Sequence, residues 1–290
     1  MRIFSRYLDR RKSIVSYLQE DIGTGDITSN SVIASYRVVD ATIKCVGQDS
    51  SIVCGLEEAQ TAFEICGCIA KPVIYDGSIV KKGDIVMNIT GEARSVLKAE
   101  RTALNLVMRM SGIATITRAF VDLVRNFYPE VKIAGTRKTA PGLRHFDKKA
   151  ISIGGGYSHR MGLDDMVLIK DNHLAITDSI ERTIQTAKDR VGSAIKIECE
   201  VRTIEEGIRA ARAGADIVML DNFSPSEAER GVRAIREDCQ HDGVEIELSG
   251  GITLGNVIDY AKARPDIISV GHLTHSSEAI DYSLSIVMKS

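Results

Sequence analysis

Ile195-Lys196-Ile197-Glu198-Cys199-Glu200-Val201 alternates apolar and charged side chains along its length. Side chains alternate across a strand, so Ile195, Ile197, Cys199 and Val201 share one face and Lys196, Glu198 and Glu200 the other. Val244-Glu245-Ile246-Glu247-Leu248-Ser249 repeats the pattern, with Glu245, Glu247 and Ser249 on the polar face. Both segments belong to a longer rhythm that begins near residue 131. Strands are expected at 131–134, 166–170, 195–201, 216–221, 244–249 and 267–271, and helices at 140–152, 178–190, 203–213, 226–237, 254–263 and 277–288. Such alternation implies right-handed βαβ units and a parallel sheet. Six units closing on themselves give a small α/β barrel, and an open doubly wound sheet is the alternative. Periodicity does not separate the two. Gly154-Gly155-Gly156 follows a helix candidate and not a strand, so it is no dinucleotide fingerprint.

In a barrel the apolar face turns toward the helices and the polar face turns inward. Barrel interiors are normally filled by Val, Ile and Leu, and a buried charge costs several kcal/mol unless it is paired or solvated. Inward carboxylates on two strands therefore predict a polar interior open to a ligand. In an open sheet the same alternation would be a solvated edge face.

The first 93 residues read as a small α+β unit. Residues 10–20 place Ile14, Tyr17 and Leu18 on one helical face, and Val38 to Val46 alternates as a strand. A short helix is expected at 56–66. Turns at Asp76-Gly77 and Lys82-Gly83-Asp84 separate short strands at 71–75, 79–81 and 85–90. Residues 94–127 read as two consecutive helices with a break near Ser111-Gly112.

The chain has 290 residues, 44% hydrophobic and 26% charged, the balance of a soluble globular protein of one large domain or two smaller ones. A formal net charge of −2 provides no general field to attract nucleic acid or an anionic membrane, so an anionic ligand must be held by local charges. No apolar run approaches the roughly 20 residues of a membrane span, and charges follow Met1-Arg2-Ile3-Phe4-Ser5 where a signal-peptide core would stand. Cys45, Cys54, Cys66, Cys68, Cys199 and Cys239 form no CxxC pair and read as free thiols in a reducing cytosol.

Barrel active sites lie at the carboxyl ends of the strands. There the sequence delivers Gly135-Thr136-Arg137-Lys138-Thr139, Lys170-Asp171-Asn172-His173, Glu200, Asp221-Asn222, Ser249-Gly250-Gly251 and Gly271-His272. Arg137, Lys138, His159, Arg160 and Lys170 form a basic set suited to a polyanion, since Arg offers bidentate forks and Lys a point charge. Ser249-Gly250-Gly251 and Gly271 offer glycine backbone to phosphate. Glu200 and Asp221 suit a Mg²⁺ ion that keeps some water and also binds ligand oxygens; alternatively they neutralise nearby Lys and Arg.

Seven stretches, in order, carry a resemblance. They are Thr136-Arg137-Lys138-Thr139-x-Pro141-Gly142, Gly154-Gly155-Gly156-x-x-His159-Arg160-x-Gly162-Leu163, Leu168-Ile169-Lys170-Asp171-Asn172-His173, Glu198-Cys199-Glu200-Val201, Leu220-Asp221-Asn222-Phe223, Ser249-Gly250-Gly251-Ile252 and Val270-Gly271-His272-Leu273-Thr274-His275. Upstream, Glu20-Asp21-Ile22-Gly23-x-Gly25-Asp26-Ile27-Thr28 and Glu100-Arg101-Thr102-Ala103-Leu104-Asn105 extend it over nearly the whole chain. The chain resembles the quinolinate phosphoribosyltransferases. The resemblance implies an α+β open sandwich domain over 1–112, an incomplete α/β barrel of about six βα units over 113–275, and a C-terminal helix over 276–290 that returns toward the first domain. It implies a cytoplasmic enzyme that uses Mg²⁺ and converts quinolinate and phosphoribosyl pyrophosphate to nicotinate mononucleotide, pyrophosphate and CO₂. It also implies a homodimer, with a higher oligomer open, in which Arg101 reaches the neighbouring site.

By the same resemblance Lys138, Lys170, Glu200 and Asp221 stand at the chemistry, and Glu200 and Asp221 serve the ribose and the metal. Thr136, Arg137, Lys138, His159, Arg160 and Lys170 hold the substrates, and Ser249, Gly250, Gly251, Val270, Gly271 and His272 fall where donor phosphate binds. Gly135 stands where relatives often have Asp or Ala, and His272 where a small residue is common. Competing readings are the related protein linked to molybdenum transport, nicotinate phosphoribosyltransferase, a Schiff-base barrel lyase with Lys170 as nucleophile, and a non-enzymatic binding protein.

Overall fold

The computed structural model describes residues 2–47, 50–177, 179–238 and 243–287. Cys239, and positions 178 and 288 of two expected helices, lie outside the described residues. The chain begins with α1 (Arg2–Ile22), α2 (Ile27–Val32), β1 (Val38–Cys45), β2 (Ser51–Ile52), α3 (Leu56–Ile65), β3 (Ile69–Pro72), β4 (Ile79–Val80), β5 (Ile85–Glu92) and α4 (Ala93–Arg125). It continues with β6 (Lys132–Gly135), α5 (Arg144–Ile153), β7 (Val167–Ile169), α6 (Asp171–Leu174), α7 (Ile180–Val191), β8 (Ile197–Val201), α8 (Ile204–Arg212) and β9 (Ile217–Asp221). The last elements are α9 (Pro225–Asp238), β10 (Glu245–Ser249), α10 (Val257–Ala261), β11 (Ile267–Val270), α11 (His272–His275) and β12 (Tyr282–Val287). Two compact units result. One joins residues 1–116, 141–154 and 277–290; the other joins 117–140 and 155–276.

The first unit holds an antiparallel sheet in the order β12-β1-β5-β3 and a small pair, β2-β4. β1 buries Val39, Ala41, Ile43 and Cys45 at alternate positions, so one face is covered. Three expectations are corrected here. The C-terminal segment forms a strand and not a helix: Ile43 lies opposite Leu284, and Ala41 opposite Ile286. Tyr282, Leu284 and Ile286 alternate with period two, and a strand here satisfies the β1 edge that a helix would leave unpaired.

The break expected near Ser111-Gly112 is absent, and α4 runs unbroken. Ser111 Oγ accepts the Cys54 N–H at 2.9 Å. A Cβ on Gly112 would stand 2.0 Å from the Glu278 carbonyl oxygen. Both small residues therefore serve close approach of another segment.

The helix expected as the first barrel helix, α5, belongs to this unit instead. Its Lys149 donates to Glu58 at 2.8 Å and Glu57 at 3.0 Å, and lies 3.4 Å from Asp76. Its Asp147 accepts both Nε–H and NH2 of Arg109 at 2.8 Å. Burial penalises Glu58, Asp147 and Lys149, and these pairings offset much of that penalty.

The second unit holds six parallel strands in the order β6-β11-β10-β9-β8-β7. The first strand of the set lies beside the last, as barrel closure requires, and β6 and β7 are not paired among the described residues. Tyr157 occupies that side of β6, donating its N–H to Ile133 O at 2.7 Å and accepting the Gly135 N–H at 3.0 Å. The architecture is an incomplete α/β barrel, and the open doubly wound alternative is excluded by this order.

The alternation read in β8 and β10 sorts as expected. Ile197, Cys199, Val201, Ile246 and Leu248 are buried on the outer face, and Glu198, Glu200 and Glu247 are buried on the inner one. Lys196 and Glu245 are the exception: they lie at the amino ends of the strands, where Glu245 bridges Lys196 at 2.6 Å and Lys132 at 3.1 Å on the surface. Among the described residues, no helix is long and apolar enough to cross a membrane.

Two predictions arise from these contacts. Gly112→Ala should destabilise the chain by about 1–3 kcal/mol in urea unfolding, the scale of overpacking, whereas Gly to Ala inside a helix ordinarily gains about 1 kcal/mol. Burial first, and then the Glu247 carboxylate, push the Glu198 pKa far above its ordinary value against the pull of Arg160 and Lys170. The folded chain keeps a proton that the unfolded chain releases above 4.5, so stability falls as pH rises past that value. Glu198→Gln should flatten this slope between about pH 5 and about pH 8, as read by urea midpoints.

Candidate functional site

All six barrel strands open onto one cavity of about 460 Å³, within the usual range for small-ligand sites. β6 and its loop supply Gly135, Thr136, Arg137 and Lys138; β7 supplies Leu168 and is followed by Lys170. β8 supplies Glu200, β9 Met219 and Asp221 with Asn222 after it, β10 Glu247 and Ser249 with Gly250 and Gly251 after it, and β11 Ser269. His159 and Arg160 enter from the loop that follows Tyr157.

Local hydrogen bonds fix the cationic loop. Thr136 Oγ1 accepts the Lys138 N–H at 3.1 Å, and Thr274 Oγ1 donates to the Lys138 carbonyl at 2.8 Å. A Cβ on Gly271 would stand 3.3 Å from Lys138 Cδ and 3.0 Å from His275 Nε2, so this glycine gives the lysine its path. Gly250, at φ +99°, leaves room for Asn222, whose Oδ1 would lie 2.2 Å from a Cβ there. Asn222 is itself left-handed at φ +59°, donates its N–H to the Ser249 carbonyl at 2.8 Å, and donates Nδ2–H to Asp221 at 2.6 Å. The turn after β9 and the glycine turn after β10 thus hold each other.

Electrostatically the mouth is cationic over an acidic floor. Lys170 Nζ is in direct contact with Glu200. Burial first, then the charge of Arg137, push Arg160 below its ordinary value, while Glu198, Glu247 and Glu200 act in the opposite sense. A guanidinium does not deprotonate in a protein, so Arg137 and Arg160 face each other as charges that an anion would reconcile. Arg137 Nε is buried and, among the described residues, has no hydrogen-bond partner, a donor left for a ligand.

Most residues singled out in the sequence meet here: Thr136, Arg137, Lys138, His159, Arg160, Lys170, Glu200, Asp221, Ser249, Gly250 and Gly251 all line the cavity. Four do not. Val270 is fully buried, because its neighbour Ser269 takes the inward position and sends Val270 to the outer face. Gly271 stands behind Lys138. His272 stacks edge-on with His275 on α11, ring centroids 6.2 Å apart. Arg101 lies exposed on α4 in the first unit. His159 lines the cavity, but its side chain is only 7% exposed and both ring nitrogens have protein partners. Glu247, inward-facing by its alternation, and Asn222, at a strand end, also line the cavity, whereas Leu168, Met219 and Ser269 were not anticipated. Extending the period-two alternation from Glu247 to Ile267, Ser269 and Gly271 would have found Ser269.

A carboxylate pair able to serve Mg²⁺ is present in Glu200 and Asp221, which line the same wall of the cavity. Two carboxylates suffice for an ion that retains water and takes further oxygens from its ligand.

Comparison with known proteins bears on this arrangement. The model of the quinolinate phosphoribosyl transferase C-terminal domain matches residues 113–285, and that of the N-terminal domain matches residues 26–111. A probable nicotinate-nucleotide pyrophosphorylase (carboxylating) of Methanocaldococcus jannaschii is 42% identical over 278 residues, covering 95% of this chain and 96% of that protein. One from Bacillus subtilis, of the same description, is 35% identical over 286 residues, covering 98% and 96%. The solved structure of the nicotinate-nucleotide pyrophosphorylase from Francisella tularensis superposes with a TM-score of 0.87 at 34% identity, covering 96% of each chain. Both domain models match in chain order and leave almost nothing unmatched between them, so the chain belongs to the quinolinate phosphoribosyl transferase family.

Proposed function

We propose that the chain is a pentosyltransferase that joins quinolinate to the ribosyl group of phosphoribosyl pyrophosphate and releases CO₂, a step of pyridine nucleotide synthesis. The observation that carries this reading is the convergence of Arg137, Lys138, Arg160 and Lys170 on one cavity, with the Arg137 Nε donor unpartnered among the described residues. Two polyanions must meet there without repelling each other. The cations offset their charge and fix their geometry, which converts a bimolecular encounter into a positioned one.

The ring nitrogen of quinolinate bonds to ribose C1 as the bond from C1 to the pyrophosphate oxygen breaks, its electron pair leaving with pyrophosphate. The positive pyridinium then accepts the electron pair of the neighbouring carbon–carboxylate bond. CO₂ departs, and that ring carbon takes a proton. Lys138 and the arginines stabilise the departing negative charge. Glu200 and Asp221, at the ends of β8 and β9, favour the positive ribosyl ring. The glycine turn at Ser249-Gly250-Gly251 offers backbone N–H groups to the donor phosphate. Mg²⁺ held by Asp221 and Glu200 would supply Lewis-acid neutralisation of the pyrophosphate.

A dimer with Arg101 donated to the partner's site, and a cytoplasmic location, complete the reading. Cys54, Cys66, Cys68 and Cys199 stand as thiols outside any disulfide among the described residues, which supports a reducing compartment. Lys170 is 43% exposed and pairs with Glu200, which does not favour a desolvated Schiff-base nucleophile.

The test is direct. Incubation with Mg²⁺, phosphoribosyl pyrophosphate and quinolinate should yield nicotinate mononucleotide and CO₂, and nicotinate in place of quinolinate should yield little. Arg137→Ala or Lys170→Ala should cost at least about 2 kcal/mol in kcat/KM, roughly thirtyfold; near-normal constants in both variants would refute the assignment. Mixed Arg101→Ala and Lys170→Ala subunits should recover part of the activity that each lacks alone, and no recovery after verified subunit exchange would refute the shared site.

A further inference from the structure

Beneath the cavity, β10 sends Glu247 into the barrel interior, where it is fully buried. Its Oε2 lies 2.9 Å from His159 Nε2. The other nitrogen of that ring, Nδ1, accepts the backbone N–H of Arg160 at 2.9 Å. An acceptor nitrogen carries no proton, so the imidazole proton is on Nε2 and is donated to Glu247. Among the described residues His159 is also one of five non-glycine residues with positive φ, at +54°. Left-handed backbone costs a non-glycine residue of order 1 kcal/mol or more, and it persists only where the surroundings impose it. At this strained position the imidazole is held at both nitrogens.

We infer that Glu247 is a positioning residue: through the His159 imidazole it holds the turn that aims Arg160 at the pyridine dicarboxylate. The inference deepens the proposed function and rests on it for the identity of the ligand. Glu198 does not share the role equally, because its nearest oxygen is 3.7 Å from the same nitrogen and neither of its oxygens has a hydrogen-bond partner among the described residues. The arrangement explains why a carboxylate is kept in a position that a barrel would ordinarily fill with Val or Leu. It also gives His159 a different task from the cationic neighbours beside which it stands in the sequence.

Two substitutions separate this role from simple packing. Glu247→Leu keeps the side-chain bulk and removes one of two adjacent buried carboxyl groups, but it leaves the buried His159 Nε2–H without its acceptor, a change that costs stability. Glu247→Gln keeps an oxygen that accepts the imidazole N–H. The expected result for E247L is a KM for quinolinate raised at least tenfold, with the KM for phosphoribosyl pyrophosphate within about twofold and a thermal midpoint that stays above the assay temperature. E247Q should recover most of that loss. In a cycle with His159→Ala, E247L should add little to the single variant, because the two residues act through one contact.

Nitrogen NMR of ring-labelled histidine supplies a readout that needs no turnover. His159 should show Nε2–H in the wild type and E247Q, and should lose that fixed tautomer in E247L. Equal damage in E247Q and E247L, equal rises in both KM values, or a tautomer indifferent to position 247 would overturn the inference. A wild type that makes no nicotinate mononucleotide while the NMR result holds would overturn the functional reading and leave the positioning contact standing.

Discussion

Carboxylates turned into the middle of a parallel sheet are the constraint from which the rest of the barrel unit follows. Glu198 and Glu247 are both fully buried with carboxyl oxygens within 4.8 Å of each other, too close for both to be charged, and Glu198 keeps its proton. An interior of this kind cannot be stabilised by its own contents, so the outer face must do it, and there Ile197, Cys199, Val201, Val218, Leu220, Ile246, Leu248 and Ile268 are buried on neighbouring strands. The interior is left free to be polar. Charge is then arranged in layers along the axis. Lys132, Lys196 and Glu245 pair at the amino ends of the strands, Glu198, Glu247 and His159 occupy the middle, and Arg137, Lys138, Arg160 and Lys170 stand at the carboxyl ends. Each layer opposes the one beside it, and the last cationic layer has its remaining countercharge to come from a ligand.

Backbone conformation contributes as much as charge. The turns after β9 and β10 are built as one object: Asn222 takes a left-handed conformation, hydrogen-bonds the Ser249 carbonyl, and fills the space that a side chain at position 250 would need. The result is a rim whose N–H groups are fixed before any ligand arrives. Preorganisation of this type matters where charge develops during a reaction, because fixed dipoles need no reorganisation at that moment.

Much of this was legible in the sequence, for a stated reason in each case. Six strands with polar or glycine ends could be read because period-two alternation and strand termini are local properties. The inner carboxylates of β8 and β10 followed from the same rule. What failed was non-local. Tyr282, Leu284 and Ile286 carry a period-two signal over a short segment, and only the open edge of β1 shows what that segment pairs with. Ser111 and Gly112 look like a break until Cys54 and Glu278 are seen to press against them. The segment bearing α5 follows a barrel strand in sequence, and only its ion pairs with Glu57, Glu58, Asp76 and Arg109 assign it to the other unit. Val270, named from the resemblance, has its side chain on the outer face because Ser269 takes the inward position, and residues one apart in a strand face opposite sides.

The strand β12 carries a temporal implication. Its pairing partner β1 is made more than two hundred residues earlier, as the positions Ala41 and Ile286 attest. During synthesis β1 therefore presents an unpaired edge for as long as the barrel is being translated. The first unit to leave the ribosome is the last to be completed, and in that interval its exposed edge is open to pairing with other nascent chains.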